Sequence, residues 1–236
     1  MTQPLDLPPI VILACRVFQD LFERHFPAGS VRQTIFLDYG LHSQPRNLAK
    51  AVQQQLDALV EPSLVVLGYG LCGNGLHGIQ ARQHTLLIPR ADDCISVFLG
   101  SYANYQRQFS DNPGTYYLTK GWLEAGSNPL QEYTKYVQKY GQQQADWLIE
   151  NMYHNYKRIA FVAHTQEDLD KYRPQALEVA HFCERFGMRY EEVLGAPAYF
   201  EQLVEASHNP EQAGGDFLVI KPGGELRQDL FLRIQD

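Results

Sequence analysis

Short continuous apolar runs alternate along this chain with polar stretches whose apolar residues recur at helical spacing. IVILAC (10–15), LVVL (64–67), LLI (86–88), RIAFVA (158–163) and DFLVI (216–220) have strand length and no polar face. VRQTIFL (31–37), the aromatic run in PGTYYLTKGW (113–122) and MRYEEVL (188–194) predict further strands. Between them, Val17, Phe18, Leu21, Phe22 and Phe26 mark a helix stopped by Pro27 and Gly29. A second amphipathic helix from Asn47 to Leu59 carries Leu48, Ala51, Val52, Leu56 and Leu59. Helices are also predicted over ISVFLGSYANYQRQF, over 128–155 with a break near Gly141, over about Glu167–Phe186, and over Pro197–Ser207. The closing ELRQDLFLRIQD reads as an edge strand.

Strand and helix alternate throughout, which predicts an α/β fold: mostly parallel sheet flanked by helices, Rossmann-like. Two lobes with a site between them are one arrangement. Residues 1–122 would then form an N-terminal α/β lobe carrying the Cys and Gly motifs, and 123–236 a helical connector and second α/β lobe. A single larger sheet is the alternative.

Composition narrows the function. A net charge of −7 without any basic block argues against a nucleic-acid partner. No apolar run is long enough to span a membrane, and MTQPLDLPPI lacks the pattern of a secretory signal, so the expected compartment is the cytoplasm. Four cysteines in such a chain point to free thiols, metal ligands or a nucleophile before disulfides.

The candidate chemistry gathers where strands end. Ser63–Cys94 runs from a buried strand into a loop with Tyr69, Gly70, Cys72, Gly73, Asn74 and Gly75, then into a second strand ending in Arg90, Asp92, Asp93 and Cys94. In an open parallel sheet, ligands bind beyond the carboxyl ends of the strands. If all strands are parallel, Cys15, Asp38, His42, Cys72, Arg90, Cys94, Lys120, Trp122, His164 and Lys221 share one rim. Cys15, Cys72 and Cys94 are the candidate metal ligands, with zinc and one open coordination position the leading choice. A [4Fe–4S] cluster on three cysteines, structural thiols and a thiolate nucleophile are the rivals. Asp93, His42 and His164 are candidate acid–base groups. Arg90, Lys120 and Lys221 are candidates for an anionic small-molecule substrate. Tyr69, Gly70, Gly73, Asn74 and Gly75 would line the loop as a nest for a carboxylate or phosphate, or merely turn the chain. Tyr116 and Trp122 would stack on a flat ligand or belong to an aromatic core, the commoner fate. Cys183, inside a helix, reads as packing.

The motifs YGLCGNG (69–75), IPRADDC (88–94) and PGTYYLTKGW, with Cys15 closing the first strand, resemble an uncharacterised bacterial and archaeal family, domain of unknown function 1638. The resemblance implies an association with corrinoid-dependent methyl-group metabolism. It therefore implies methyl transfer as a reaction class, and a corrinoid or a corrinoid protein as cofactor or partner. Hydrolase or lyase chemistry stays open. So does a non-catalytic protein that carries a metal, a corrinoid or another tetrapyrrole.

Overall fold

The computed structural model describes residues 8–43 and 45–233, without the side chains of His42 and Ser43. In chain order the strands are β1 (Ile10–Cys15), β2 (Val31–Leu37), β3 (Leu64–Gly68), β4 (Thr85–Pro89), β5 (Thr115–Thr119), β6 (Arg158–Ala163), β7 (Arg189–Leu194) and β8 (Phe217–Ile220). The helices are α1 (Gln19–His25), α2 (Pro45–Ala58), α3 (Cys94–Phe98), α4 (Tyr102–Asp111), α5 (Lys120–Ala125), α6 (Pro129–Tyr140), α7 (Gln142–Tyr153), α8 (Gln166–Cys183) and α9 (Ala198–His208). The fold is α/β with parallel pairing dominant, as the alternation predicts. It divides into two compact units, one made of the chain up to Val97 and from Pro197 onward, the other of Phe98–Ala196.

The first unit is built on a sheet of order β2-β1-β3-β4-β8. β1 pairs parallel with both β2 and β3, and β3 parallel with β4. Every residue of β3 is buried, and so is most of β1, which is why these runs lack a polar face. Side chains alternate across the sheet. Val11, Leu13, Val65, Leu67, Leu86 and Ile88 face α2 through Leu48, Val52 and Leu56. The other face meets α1 and α9, where the Phe22 and Phe200 rings pack edge-on at 5.3 Å. Gly68 makes room on that face: a Cβ there would stand 2.4 Å from the Ala14 Cβ and 2.5 Å from the Phe22 ring. Burying one such Phe or Leu side chain stabilises the unit by about 1.5–3 kcal/mol.

The second unit holds a parallel sheet of order β5-β6-β7. α6 and α7 part at Gly141, whose φ of 81° is open to glycine at no steric cost. Thr165 caps α8 by accepting the Asp168 N–H at 3.1 Å. Cys183 is fully buried in this core, the packing role its helix predicts. Tyr116 belongs to the same core, its ring edge-on to Tyr153 and Tyr156 at 5.6 and 5.7 Å.

Four expectations are corrected. The predicted boundary near residue 122 is not where the chain divides: β5 pairs with β6 in the second sheet, and the last strand returns to the first. That strand, β8, runs antiparallel to β4, so the first sheet is mixed. The helix predicted beyond Cys94 is two, because Gly100 sits at φ 83° with its Cβ position 2.5 Å from the Ala196 Cβ, and Ser101 starts α4 by accepting the Asn104 N–H. The closing segment forms a short 3-10 turn at Gln228–Phe231 rather than a strand; residues 234–236 lie outside the described chain.

Candidate functional site

In the order β2-β1-β3-β4 the chain leaves β1 in one direction and β3 in the other, so β1 and β3 flank the topological switch point of the sheet. Crevices at such points are where open α/β sheets bind ligands. The β1–β3 register pairs Leu13 with Leu67 and ends at Ala14 with Gly68, and Cys15 and Tyr69 are the next residues of the two stretches of chain. Both continue the face that packs on α2, and Cys72 packs against the same cluster. Cys94 begins α3, after β4.

The loops after β3 and β4 are stitched together. Leu71 N–H donates to the Ala91 carbonyl at 2.8 Å, and Cys72 N–H to the Asp92 carbonyl at 3.0 Å. Cys72, Gly73 and Asn74 then follow one another at φ 49°, 62° and 69°. For the two non-glycine residues this left-handed geometry costs about 1–2 kcal/mol each, the kind of local strain that clusters at functional segments. Gly75 tucks under α2, its Cβ position 2.7 Å from a Leu48 methyl. Asp93 caps α3: its Oδ1 accepts the N–H groups of Ile95 at 2.9 Å and Ser96 at 3.2 Å. The predicted acid–base carboxylate therefore has an architectural role here.

As residues Cys15, Cys72 and Cys94 are half-buried, and the surrounding protein desolvates their thiols. Burial pushes Cys15 up to about 11, helped by the Asp38 carboxylate, and Cys72 up to about 12, with Asp93 and Cys15 adding to it. Burial holds Cys94 well above the ordinary thiol value, and Cys72, Asp93 and Cys15 push the same way. Cys15 thus acts electrostatically on Cys72 and Cys94, and Cys72 on Cys94. A nucleophilic cysteine needs electropositive surroundings. Here burial, with the Asp38 and Asp93 carboxylates, instead holds the thiols in the protonated form. Above the thiols, the Tyr69 hydroxyl is buried without a hydrogen-bond partner among the described residues, a burial that costs about 1–3 kcal/mol.

Other predicted residues lie elsewhere. Lys221 is exposed and follows the antiparallel β8, which places it at the opposite edge of the sheet from the thiols. Arg90 turns to the C-terminal segment, where its guanidinium donates to the Leu232 carbonyl and its own carbonyl accepts from Arg233 at 3.0 Å. His42 falls in the 3-10 turn Tyr39–Ser43, its side chain outside the described residues. Lys120, Trp122 and His164 belong to the second unit. There His164 Nε2 bonds the Phe98 carbonyl at 2.8 Å, and its ring packs edge-on to Phe98. Lys120 Nζ is 3.7 Å from Asp168 and over the Tyr172 ring, while Trp122 packs on the core. Among the described residues, no three His, Cys, Asp or Glu side chains stand as a ready-formed metal set. The Arg233–Asp216 pair behind Arg90 was not foreseeable, since nothing in the C-terminal sequence marks it.

A family described as "Protein of unknown function (DUF1638)" matches residues 36–204. The match takes in Cys72 and Cys94, begins beyond Cys15, and extends through the second unit. No curated protein matches the chain, and no solved structure does.

Proposed function

The chain belongs to that family, and on the geometry of its first unit we propose that it binds a soft divalent cation, zinc first, through Cys15, Cys72 and Cys94, and uses it on a small-molecule substrate. The observation that carries this reading is the placement of three desolvated thiols at or after the ends of β1, β3 and β4 around the switch point of the sheet, with Cys15 acting electrostatically on both of the others. Thiolates are the donors that select zinc, Cu(I) and iron–sulfur centres. The donor chemistry fits zinc, while the side chains as they stand form no ready metal set among the described residues, so uptake would require the sulfurs to close on the ion. Ionisation that burial opposes becomes favourable once a cation supplies the missing charge, and each proton leaves to solvent. Zinc held in this way would supply the positive charge that keeps a substrate thiol deprotonated, the form that accepts a methyl group.

The chain's own groups would divide the rest. Asp93 fixes the start of α3 and so the position of Cys94; the strained Cys72–Asn74 turn presents its sulfur; Tyr69 closes the site from the core. Methyl transfer, with a corrinoid or corrinoid protein as donor, is the reaction class we propose to test first. The test is elemental analysis and a visible spectrum of anaerobically purified protein beside Cys72→Ala. About one zinc per chain, lost in the variant, supports the reading. Iron with sulfide moves it to a three-cysteine cluster. Protein free of metal in both samples overturns it.

A further inference from the structure

In the second unit a cavity of about 390 Å³ lies where α5, the start of α6 and the middle of α8 meet. Gln175, Glu178 and Val179 fall at i, i+3 and i+4 of α8, so one face of that helix turns to it. Its apolar lining includes Leu123 and Val179, both buried. Glu124 and Glu178 line it as exposed residues. Among the described residues neither carboxylate is ion-paired: Lys120 is held by Asp168, Arg173 by Asp170 and Glu192, and Lys135 by the Gly126 carbonyl. Glu124 accepts a hydrogen bond from the Tyr172 hydroxyl, which fixes the carboxylate and leaves its charge in place. Asn128 lines the same cavity and is 1% exposed. Its Oδ1 caps α6 by accepting the Gln131 N–H at 3.1 Å, while its Nδ2 has no acceptor among the described residues. Buried amide donors ordinarily find an acceptor, so this one has to come from what fills the cavity.

We infer that this cavity binds a small organic cation: a primary ammonium group on a short apolar stem that also carries a carbonyl oxygen. The ammonium has three donors and no acceptor, which matches the carboxylates of Glu124 and Glu178. The stem lies on Leu123 and Val179, and the carbonyl accepts from Asn128 Nδ2. An apolar floor with a few placed polar groups, in a volume of this order, is the usual form of a small-molecule site. A bare hard metal ion fits less well, because it asks for six or more oxygen ligands and gains nothing from leucine and valine. The site belongs to the second unit and stands independently of the thiol reading.

The experiment is isothermal titration of the full chain with 5-amino-N,N-dimethylpentanamide, beside pentylamine, which lacks the carbonyl, and N,N-dimethylpentanamide, which lacks the ammonium. Wild type should bind the amino amide, about tenfold more weakly when the ammonium is removed and about fivefold more weakly when the carbonyl is removed. Glu178→Gln should weaken the amino amide by about threefold, the size of an ion pair open to solvent. Asn128→Asp keeps an acceptor for the α6 cap and removes the donor, so it should erase the preference for the amino amide over pentylamine. No binding by wild type, or equal binding of all three compounds, would overturn the inference, and this comparison stands whether or not a variant folds. A preference for the amino amide that survives in Asn128→Asp would overturn the role of Asn128. An unchanged affinity in Glu178→Gln would overturn that of Glu178.

Discussion

The Cβ that Gly70 lacks would lie 2.6 Å from the carbonyl carbon of Asp93. The loop after β3 thus presses backbone to backbone on the loop after β4, and two hydrogen bonds from Leu71 and Cys72 seal the contact. This approach is what carries Cys72 towards Cys94. Gly70→Ala should therefore separate the loops. We expect a loss of about 2–3 kcal/mol of stability in urea denaturation, as for overpacking against a backbone that cannot yield. Metal uptake should fall with it. A variant as stable as wild type would mean that the contact is looser than it stands here.

The thiols give a pH signature. Cys15 and Cys72 are raised in the fold to about 11 and about 12, against about 8.5 for an unfolded cysteine. The fold favours their protonated form, so their contribution is fully present below the unfolded value and drains away as pH rises towards the folded ones. Ion-free protein should hold its stability up to about pH 8.5 and lose it above, measured by urea titrations across that range. Cys72→Ala should flatten the decline.

His84 gives the opposite slope. It is buried at the start of β4, with Nε2 3.2 Å from the Leu56 carbonyl and Nδ1 unpartnered among the described residues. Burial holds its pKa below the ordinary histidine value. A depressed pKa contributes stability that is present above about pH 6.5 and lost as pH falls through the folded value. His84→Gln should show a smaller difference in stability between about pH 7.5 and pH 5.5 than wild type. His25, also held down by burial, accounts for part of what remains.

In the second unit the test residue is Arg158, 3% exposed at the start of β6. Its guanidinium donates to Thr115 at 2.9 Å, to Glu191 at 2.7 Å and to Gln108 at 2.7 Å, tying α4, β5 and β7 to the central strand. Arg158→Ala removes the charge and leaves these acceptors short of a donor. About 2–3 kcal/mol should be lost in chemical denaturation, less than for a fully buried pair because Glu191 reaches solvent.

Much of the fold was legible because burial writes itself into composition. IVILAC and LVVLG are apolar throughout since β1 and β3 are covered on both faces, and Gly141 and Gly187 announced the helix ends they occupy. Strand direction leaves no such mark. DFLVI would read the same parallel or antiparallel, so Lys221 was grouped with a rim it does not share. Nor does local sequence say that β8 returns to the first sheet after a whole second unit has intervened. That Cys15, Cys72 and Cys94 each end or follow a buried strand was legible from the apolar runs that precede them. The role of Asp93 was half visible, since an aspartate before a short apolar run is also an N-cap signal. The orphan state of the Tyr69 hydroxyl depends on three-dimensional surroundings that no spacing encodes.

The central claim is that the sulfurs of Cys15, Cys72 and Cys94 hold one ion. X-ray absorption at the zinc edge of anaerobically purified or zinc-reconstituted full-length protein reads the donor atoms directly. The account predicts a shell of about three sulfur scatterers near ~2.3 Å, reduced in Cys72→Ala. A shell of nitrogen and oxygen alone, or one that the variant leaves unchanged, would contradict it.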